Sequence, residues 1–102
     1  MRRRRLVIAP EAEADLVEIE EQLLRVASSR TTNAFLGRIF AFLGGLQTAS
    51  ERGHRRDDIR RRLRIIGFER RLTIAFAVHE DRVDILRVFR AGRDWEAEFD
   101  EG

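Results

Sequence analysis

The spacing of apolar residues changes from a helical period in the first half of the chain to a period of two in the second half. In the first half, apolar residues recur three or four positions apart, at Ala12, Leu16, Ile19, Leu23 and Val26. This spacing predicts one apolar stripe on a helix of about four turns. Pro10 suits the start of that helix, because a first turn does not use the N–H that proline lacks. The short apolar run at residues 6–9 predicts a strand in front of it.

A second helix is predicted after a break at residues 28–30, with Thr31 or Thr32 as its N-cap. One face of this helix carries Phe35, Ile39, Phe42 and Leu46, and the stripe beside it carries Leu36, Phe40 and Leu43. A helix that is apolar over so wide an arc is covered on more than one side. The second stripe is therefore either core or part of a groove that receives a helix of a partner protein.

The second half of the chain predicts three strands joined by short turns. Apolar residues alternate with others at 59–65 and 72–78, and the run at 83–89 is almost continuously apolar, as in a strand covered on both faces. Tight turns at 67–70 and 80–82 make neighbouring strands antiparallel. We therefore expect a single α+β domain over residues 1–102, of order β-α-α-β-β-β. A two-helix hairpin would cover one face of an antiparallel sheet, and arginines would cover the other.

The composition excludes several kinds of site. All 20 basic residues are arginine, and the sequence has no cysteine, lysine or tyrosine. Without cysteine there is no disulfide, thiolate zinc site or cysteine nucleophile, and we expect no metal or other cofactor. Arg2–Arg5 precede only four apolar residues, too few for a secretory signal, and no apolar run approaches the ~20 residues of a membrane span. We expect a cytoplasmic protein with no membrane partner.

Arginines of the predicted sheet are the first candidates for contact with a partner. Arg60, Arg62 and Arg64 alternate with other residues, which would place them about 7 Å apart along one face of a strand. They form either an ordinary solvated face or an electropositive surface. On such a surface, bidentate pairing with carboxylates would set the register of an acidic partner.

Three further arginines lie in or after the last predicted strand. Arg87 is surrounded by apolar residues, and an unpaired buried arginine costs several kcal/mol. It therefore needs a carboxylate partner, such as Asp84 or Asp94. Arg90 and Arg93 flank a glycine at which another backbone can approach closely, so they are the best candidates for contact residues.

The chain ends in an acidic segment that contains its single tryptophan. Trp95 is expected either to close the open end of the core or to contact a target, and residues 94–102 to form a last helical turn or a mobile tail. His54 and His79 are the only general bases expected at neutral pH. We expect both to be exposed, His54 in a polar loop and His79 at a strand end.

Three segments, in the order in which they occur, resemble the RelE/ParE family of bacterial toxins from type II toxin–antitoxin systems. LVIAPEAEADLVEIEEQL is similar to the family's first strand and acidic, proline-initiated helix. RRRLRIIG is similar to its "dlR" strand, and VDILRVFRAGRDW to its last strand and the ending RVxxGxRDW. The ending is the most specific segment, and the resemblance covers nearly the whole chain. It implies the β-α-α-β-β-β fold of that family.

The family has two branches, and the RDW ending favours the ParE-like one. RelE-like members are ribosome-dependent endoribonucleases that rely on Lys, Arg and Tyr side chains, whereas ParE-like members poison DNA gyrase by direct contact and without chemistry. Attack by a 2′-hydroxyl needs groups that take and give a proton and cations that stabilise the phosphorane. Lysine and tyrosine are missing here, and Asp94 would repel a phosphate. A RelE-like nuclease that uses His and Glu stays open as the alternative.

The resemblance also implies partners. A ParD-like antitoxin would bind the chain in a hetero-oligomer, DNA gyrase would be the target, and operator DNA would be reached only through the antitoxin. No residue is assigned to catalysis. The candidate contacts with target or antitoxin are Arg60, Arg62, Arg64, Arg87, Arg90, Arg93 and Trp95, and the candidate antitoxin groove is formed by Leu36, Phe40 and Leu43.

Overall fold

The structure is a computed structural model that describes residues 3–99. Its elements are, in chain order, strand β1 Arg5–Ile8, helix α1 Pro10–Val26, helix α2 Ser29–Gly45, strands β2 His54–Arg55, β3 Leu63–Phe68, β4 Leu72–Val78 and β5 Arg82–Arg90, and the 3-10 helix Trp95–Phe99. The two helices pack on one face of a five-stranded sheet. The predicted α+β fold with a two-helix hairpin is confirmed.

The sheet has the strand order β1-β5-β4-β3-β2. Strands β3, β4 and β5 are antiparallel neighbours, as predicted. β1 adds a parallel pairing, with Arg5 opposite Arg82 and Ile8 opposite Ile85. A parallel pair needs a long crossover, and the helices together with β2–β4 provide it. The sheet is therefore mixed, and the first and last strands of the chain are neighbours in it.

The break between the two helices is shorter than predicted. α1 begins at Pro10, with Glu11 and Glu13 in its first turn, where the helix dipole favours negative charge. α2 begins at Ser29, and its N-cap is Ser28, whose hydroxyl oxygen accepts the N–H of Thr31 at 3.1 Å. The prediction of Thr31 or Thr32 as the cap was wrong, because Ser28 already satisfies this first-turn donor.

The first strand of the predicted meander also begins later than expected. β3 starts at Leu63, whereas residues 56–62 form a turn in which Leu63 N–H donates to the carbonyl of Arg60. Asp57 accepts the N–H of Arg62 at 3.0 Å and holds that residue in the left-handed region at φ 68°. The side-chain acceptor thus bends the chain where period-two alternation predicted an extended strand.

The main core lies between the helices and the sheet. Its fully or largely buried residues are Ala12, Leu16 and Ile19 of α1, Phe35, Ile39, Leu43 and Leu46 of and after α2, and Phe68, Leu72, Ile74, Phe76, Val83, Ile85 and Val88 of the sheet. The predicted stripe of α1 is therefore correct up to Leu23, which packs against this core, while Val26 is 84% exposed at the helix end.

A second, smaller apolar cluster covers the opposite face of the sheet. Leu63, Ala75 and Phe89 are buried there, and Trp95 and Phe99 of the 3-10 helix pack against them. The rings of Phe89 and Phe99 meet edge to face at 6.2 Å between centroids. This face was expected to carry arginines. It carries this apolar cluster, because β4 and β5 present apolar residues on both sides, and arginines lie over the ring of Phe89.

Two glycines with positive φ offer a matched test of this fold. Gly53 has φ 77°, and a Cβ there would lie 2.4 Å from the carbonyl oxygen of Ile65, whereas Gly92 has φ 88° and open space around it. We expect Gly53→Ala to lower the free energy of unfolding by about 3 kcal/mol, from backbone strain plus overlap. We expect Gly92→Ala to lower it by about 1 kcal/mol, from strain alone. Urea denaturation measures both, and equal losses would contradict the close approach at Gly53.

Candidate functional site

Arg87 is the centre of an ion-pair network that joins three elements. Its Nε and Nη2 donate to the two carboxylate oxygens of Asp15 in α1, at 2.7 and 3.0 Å, and its Nη1 donates to Glu98 of the 3-10 helix at 3.1 Å. The side chains of Arg87 and Asp15 are 22% and 13% exposed. The hydrogen bond to Asp15 raises the pKa of Arg87, against the opposing effect of burial.

The predicted partners of Arg87 were wrong, although its need for a partner was predicted correctly. Asp84 pairs instead with Arg82 at 3.0 Å and with His79 at 3.1 Å, and Asp94 lies in the exposed turn before the 3-10 helix. The true partner, Asp15, is far away in sequence. Only the packing of α1 against β5 brings it close.

Asp15 also closes an open edge of the sheet. β1 pairs with β5 only as far as Ile85, so the later part of β5 has no strand on the side away from β4. There the carboxylate of Asp15 accepts the backbone N–H of Val88 at 2.8 Å. One side chain therefore satisfies both a partly buried guanidinium and a strand-edge donor.

Glu98 attaches the C-terminal 3-10 helix to the sheet. It accepts hydrogen bonds from Arg87 and, at 3.2 Å, from Arg93, and these bonds lower its pKa. Both guanidinium groups lie over the ring of Phe89, 4.7 and 5.9 Å from its centroid. Arg87 and Arg93, two of the candidate contact residues, thus make internal contacts. The segment 95–99 of the predicted tail is packed, and its last part, residues 100–102, lies outside the described residues.

Trp95 closes the second cluster and is partly buried. Arg56 lies over its ring, 5.4 Å from the centroid, and also pairs with Asp58 at 3.0 Å and with Glu96 at 3.5 Å. The first of the two predictions for Trp95, a lid on the core, therefore describes its position. The core that it covers lies on the side of the sheet away from the helices.

Three consecutive arginines, Arg60–Arg62, lie in the turn before β3, and we call them the arginine turn. All three are exposed, and within residues 3–99 no carboxylate forms an ion pair with their side chains. Arg64 lies on β3 and donates to the carbonyl of Arg52 at 3.4 Å. The prediction that Arg60, Arg62 and Arg64 share one strand face was wrong, because the first two precede the strand.

An apolar groove lies between α1 and α2, and we call it the hairpin groove. Leu36 and Phe40 line it together with Val17, and Glu13 and Glu20 form its rim; its volume is about 310 Å³. In the described part of the chain, the exposed large apolar side chains all lie on the two helices, at Val17, Leu24, Val26 and Phe40. The third residue of the predicted groove, Leu43, is fully buried in the main core, so its assignment to the groove was wrong.

A second groove lies on the other side of α1, and we call it the arginine groove. Arg90, the remaining candidate contact residue, lines it together with Arg71, Phe35 and Val26, and its volume is about 360 Å³. Sequence reasoning missed Arg71. The signal that could have found it is the hairpin register, which places Leu72 opposite Arg90.

The histidines do not form an acid–base site. His54 lies exposed on edge strand β2, opposite Ile65, which is itself opposite Ala75 of β4. His79 comes four residues after Ala75, about 13 Å further along the strand direction. Among residues 3–99 no group of three or more His, Asp or Glu side chains could hold a metal ion. In the same residues, neither helix has the length and hydropathy to span a bilayer.

Comparison with known protein families shows one match. A family model described as the ParE toxin of the type II toxin–antitoxin system parDE matches residues 6–95. Among solved structures, a chain of the chromosomal ParDE toxin–antitoxin system from P. aeruginosa superposes with a TM-score of 0.74 at 22% sequence identity. The match covers 86% of this chain and 96% of that chain, and it is a likeness of fold. No curated protein sequence matches.

The bidentate contact of Asp15 should be important for stability. We expect Asp15→Ala to lower the free energy of unfolding by about 3 kcal/mol, because it leaves a partly buried guanidinium short of a partner. Glu18→Ala, one turn further along the exposed side of α1, should change it by less than about 0.5 kcal/mol. Urea denaturation of both variants measures the difference, and equal effects would show that the network contributes little.

The attachment of the 3-10 helix should weaken in acid. Because the pKa of Glu98 is lowered in the folded chain, its ion pairs stabilise the segment at pH values above the ordinary glutamate pKa of 4.5. That contribution is lost as the pH falls through the lowered pKa. We expect the emission of Trp95, the single tryptophan, to change over this range. Glu98→Gln should show part of the change already at pH 7, and Glu21→Gln should not; identical titrations of the two variants would contradict the anchoring role of Glu98.

Proposed function

The chain belongs to the ParE toxin family of type II toxin–antitoxin systems, and from this membership we propose that it inhibits DNA gyrase by direct binding and is neutralised by a ParD-like antitoxin. The inhibition takes place in the cytoplasm, without a cofactor and without chemistry on the target. Operator DNA is reached only through the antitoxin.

The observation that carries the proposal is that this family member lacks the lysine and tyrosine side chains on which RelE-like nucleases rely. Lysine and tyrosine are absent from the sequence. The two histidines lie two strands apart in the sheet order. General acid–base catalysis needs its two groups around one reacting bond. A protein built this way acts by occupying a surface of its target.

The hairpin groove is the proposed site of an antitoxin helix. Phe40 and Val17 are about half exposed there, and apolar side chains of this size are the usual anchors for an amphipathic helix in a groove. Glu13 and Glu20 on the rim favour a helix that carries basic residues beside its apolar stripe. The groove is uncovered in the single chain, which fits a protein that is kept with its partner.

The proposed target surface lies on the other side of the sheet, at the arginine turn and the adjoining Trp95. The turn is held in shape by the bond from Arg62 N–H to Asp57, so its guanidinium groups are presented on an ordered backbone. Among the described residues these guanidinium groups form no ion pair with a carboxylate. They therefore break no internal ion pair when they bind an acidic patch of another protein. Arg87 and Arg93 support this surface from below through Glu98.

Gyrase supercoiling assays with the purified chain test the proposal. We expect inhibition by the unmodified chain, at least about tenfold weaker inhibition by Arg61→Glu, since reversing a charge at a contact costs about 1.4 kcal/mol or more, and unchanged inhibition by Arg30→Glu on α2. The antitoxin should relieve inhibition by the unmodified chain. It should fail to relieve inhibition by Phe40→Arg, which places a charge in the hairpin groove.

Two outcomes would contradict the proposal. If Arg61→Glu and Arg30→Glu inhibit gyrase equally, the target surface lies elsewhere. If the unmodified chain leaves gyrase active but cuts messenger RNA on ribosomes, the chain is a nuclease of the RelE type. His79→Ala would then be the variant to abolish cleavage.

A further inference from the structure

Two arginine-rich segments that are far apart in sequence lie at the same end of the sheet. β1 and β5 begin at this end, β4 ends there at Val78, and β3 begins there at Leu63. It therefore holds Arg3–Arg5, which lead into β1, and the arginine turn, which leads into β3. The two segments are three strand spacings apart in the sheet order, or about 14 Å. We call them together the basic end.

The positive charge of the chain is concentrated at the basic end. Its two segments contain six arginines, and the β4–β5 turn between them adds two carboxylates, Glu80 and Asp81. The next charged neighbours pair with each other at 3.0 Å, Arg82 with Asp84 and Arg55 with Asp57. The excess is therefore four positive charges, whereas the formal net charge of the whole sequence is only +2. The rest of the chain is negative on balance.

The arginines before β1 lie on an ordered backbone. The N–H of Arg4 donates to the carbonyl of Gln47 at 2.7 Å, and the side-chain amide of Gln47 donates back to the carbonyl of Arg4 at 3.1 Å. The N–H of Arg5 donates to the carbonyl of Asp81 at 3.0 Å. These bonds attach the segment to the turn after α2 and to the β4–β5 turn, so its guanidinium groups are presented from a fixed position.

The three arginines of this segment form no ion pair with a carboxylate of residues 3–99. Arg3 and Arg5 are exposed, and Arg4 is half-buried. The Nε of Arg4 donates to the carbonyl of His79 at 2.8 Å, which holds its guanidinium group in place. A partly buried guanidinium without a counter-ion costs stability in the free chain. An anion of another molecule would compensate for that cost.

The chemistry of this segment suits a phosphate backbone better than a protein surface. In the described part of the chain the exposed large apolar side chains all lie on the two helices, so the segment offers cations without apolar anchors. The core of a protein interface needs apolar or aromatic anchors, whereas contacts with a nucleic-acid backbone need mainly cations. One strand of a DNA duplex presents a phosphate every ~3.4 Å along the helix axis, or about four over the width of the basic end.

We propose that the basic end binds the phosphate backbone of the DNA duplex on which gyrase acts, with Arg3, Arg4 and Arg5 as contact residues and the arginine turn at the border between DNA and enzyme. This proposal rests on the proposed function and adds a second partner to it. Backbone contacts carry no base-sequence information. They therefore hold the toxin on any duplex that gyrase holds, and they do not select an operator.

Binding of a DNA duplex to the full chain tests the contact residues. The probe is a fluorescein-labelled duplex of about 20 base pairs and mixed sequence, followed by fluorescence anisotropy at several salt concentrations. We expect a dissociation constant on the order of 100 μM at about 50 mM NaCl, as for non-specific binding through few phosphates. Three phosphate contacts give a slope of about −2.7 or steeper in a plot of log affinity against log salt concentration.

Removal of two contacts should make this slope shallower. We expect the double variant Arg3→Gln/Arg5→Gln to reduce it by about 1.8, since each phosphate contact contributes about 0.9. The matched control is Arg25→Gln/Arg30→Gln, which removes the same charge. Arg30 lies near the start of α2, about 22 Å along the helix from its end at Gly45. This control should leave the slope unchanged.

Thermal melting checks that each variant is folded, and the single variant Arg3→Gln, which lies before β1, replaces the double variant if that one is not. It should reduce the slope by about 0.9. Equal slopes for the contact variants and the control, or no binding of the duplex at about 20 mM NaCl, would overturn the proposal.

A polyanion without phosphates tests the competing class of partner. We expect poly-L-glutamate to displace the duplex only at a concentration of charges at least about tenfold higher, because its charge density is lower than that of DNA. If poly-L-glutamate displaces the duplex at an equal or lower concentration of charges, the basic end serves an acidic protein surface and the inference is wrong.

Binding to gyrase with and without DNA separates this proposal from the proposed function. An effective concentration of about 1 mM, against a dissociation constant of about 100 μM for the duplex, predicts about tenfold tighter binding to the gyrase–DNA complex than to gyrase alone. Arg3→Gln/Arg5→Gln should lose most of this gain and keep its affinity for gyrase alone. If the unmodified chain binds the duplex as described but does not bind gyrase, only the gyrase proposal fails. If it binds gyrase equally well with and without DNA, the inference is wrong.

Discussion

The bidentate pair between Arg87 and Asp15 is the contact on which the arrangement of the other elements depends. It fixes α1 against β5, and through Glu98 the same guanidinium fixes the C-terminal segment against the opposite face of the sheet. A partly buried ion pair recovers its desolvation cost only when the remaining donors and acceptors are also satisfied. Here the second carboxylate and the N–H of Val88 complete the set. One arginine thus joins the helix layer, the sheet and the second apolar cluster.

Much of the fold could be predicted from periodicity, because local patterns record which side of an element is buried. The spacing of Ala12, Leu16 and Ile19 predicts the buried face of α1, and the alternation of apolar residues in β4 predicts which of its residues share a face of the sheet. The errors arise where one side chain overrides the pattern. Asp57 bends the chain before β3 by accepting a backbone N–H, and Ser28 caps α2 before the threonines can. Such single hydrogen bonds carry no periodic signal.

The functional surfaces were less predictable, because a charge on the surface and a charge in a network look the same in a sequence. Arg87 and Arg93 turned out to hold the C-terminal segment, whereas Arg90 faces a groove without a carboxylate. Only the tertiary structure tells which guanidinium groups are already paired. Phe40 and Leu43 are likewise less than one helical turn apart in α2, yet Leu43 is buried in the main core and Phe40 is half exposed. Whether such a residue is buried depends on which elements pack against its side of the helix. The sequence of the helix alone does not show which elements those are.

The parallel pairing of β1 with β5 affects the order in which the protein can fold during its synthesis. Arg5 is opposite Arg82, so a ribosome must release almost the entire described chain before the sheet can close. Contacts this distant in sequence form slowly, whereas the two helices need only local contacts to meet. A nascent chain therefore exposes its helix hairpin before its sheet is complete. The hairpin groove, where we propose that an antitoxin helix binds, is therefore accessible before folding of the toxin is complete.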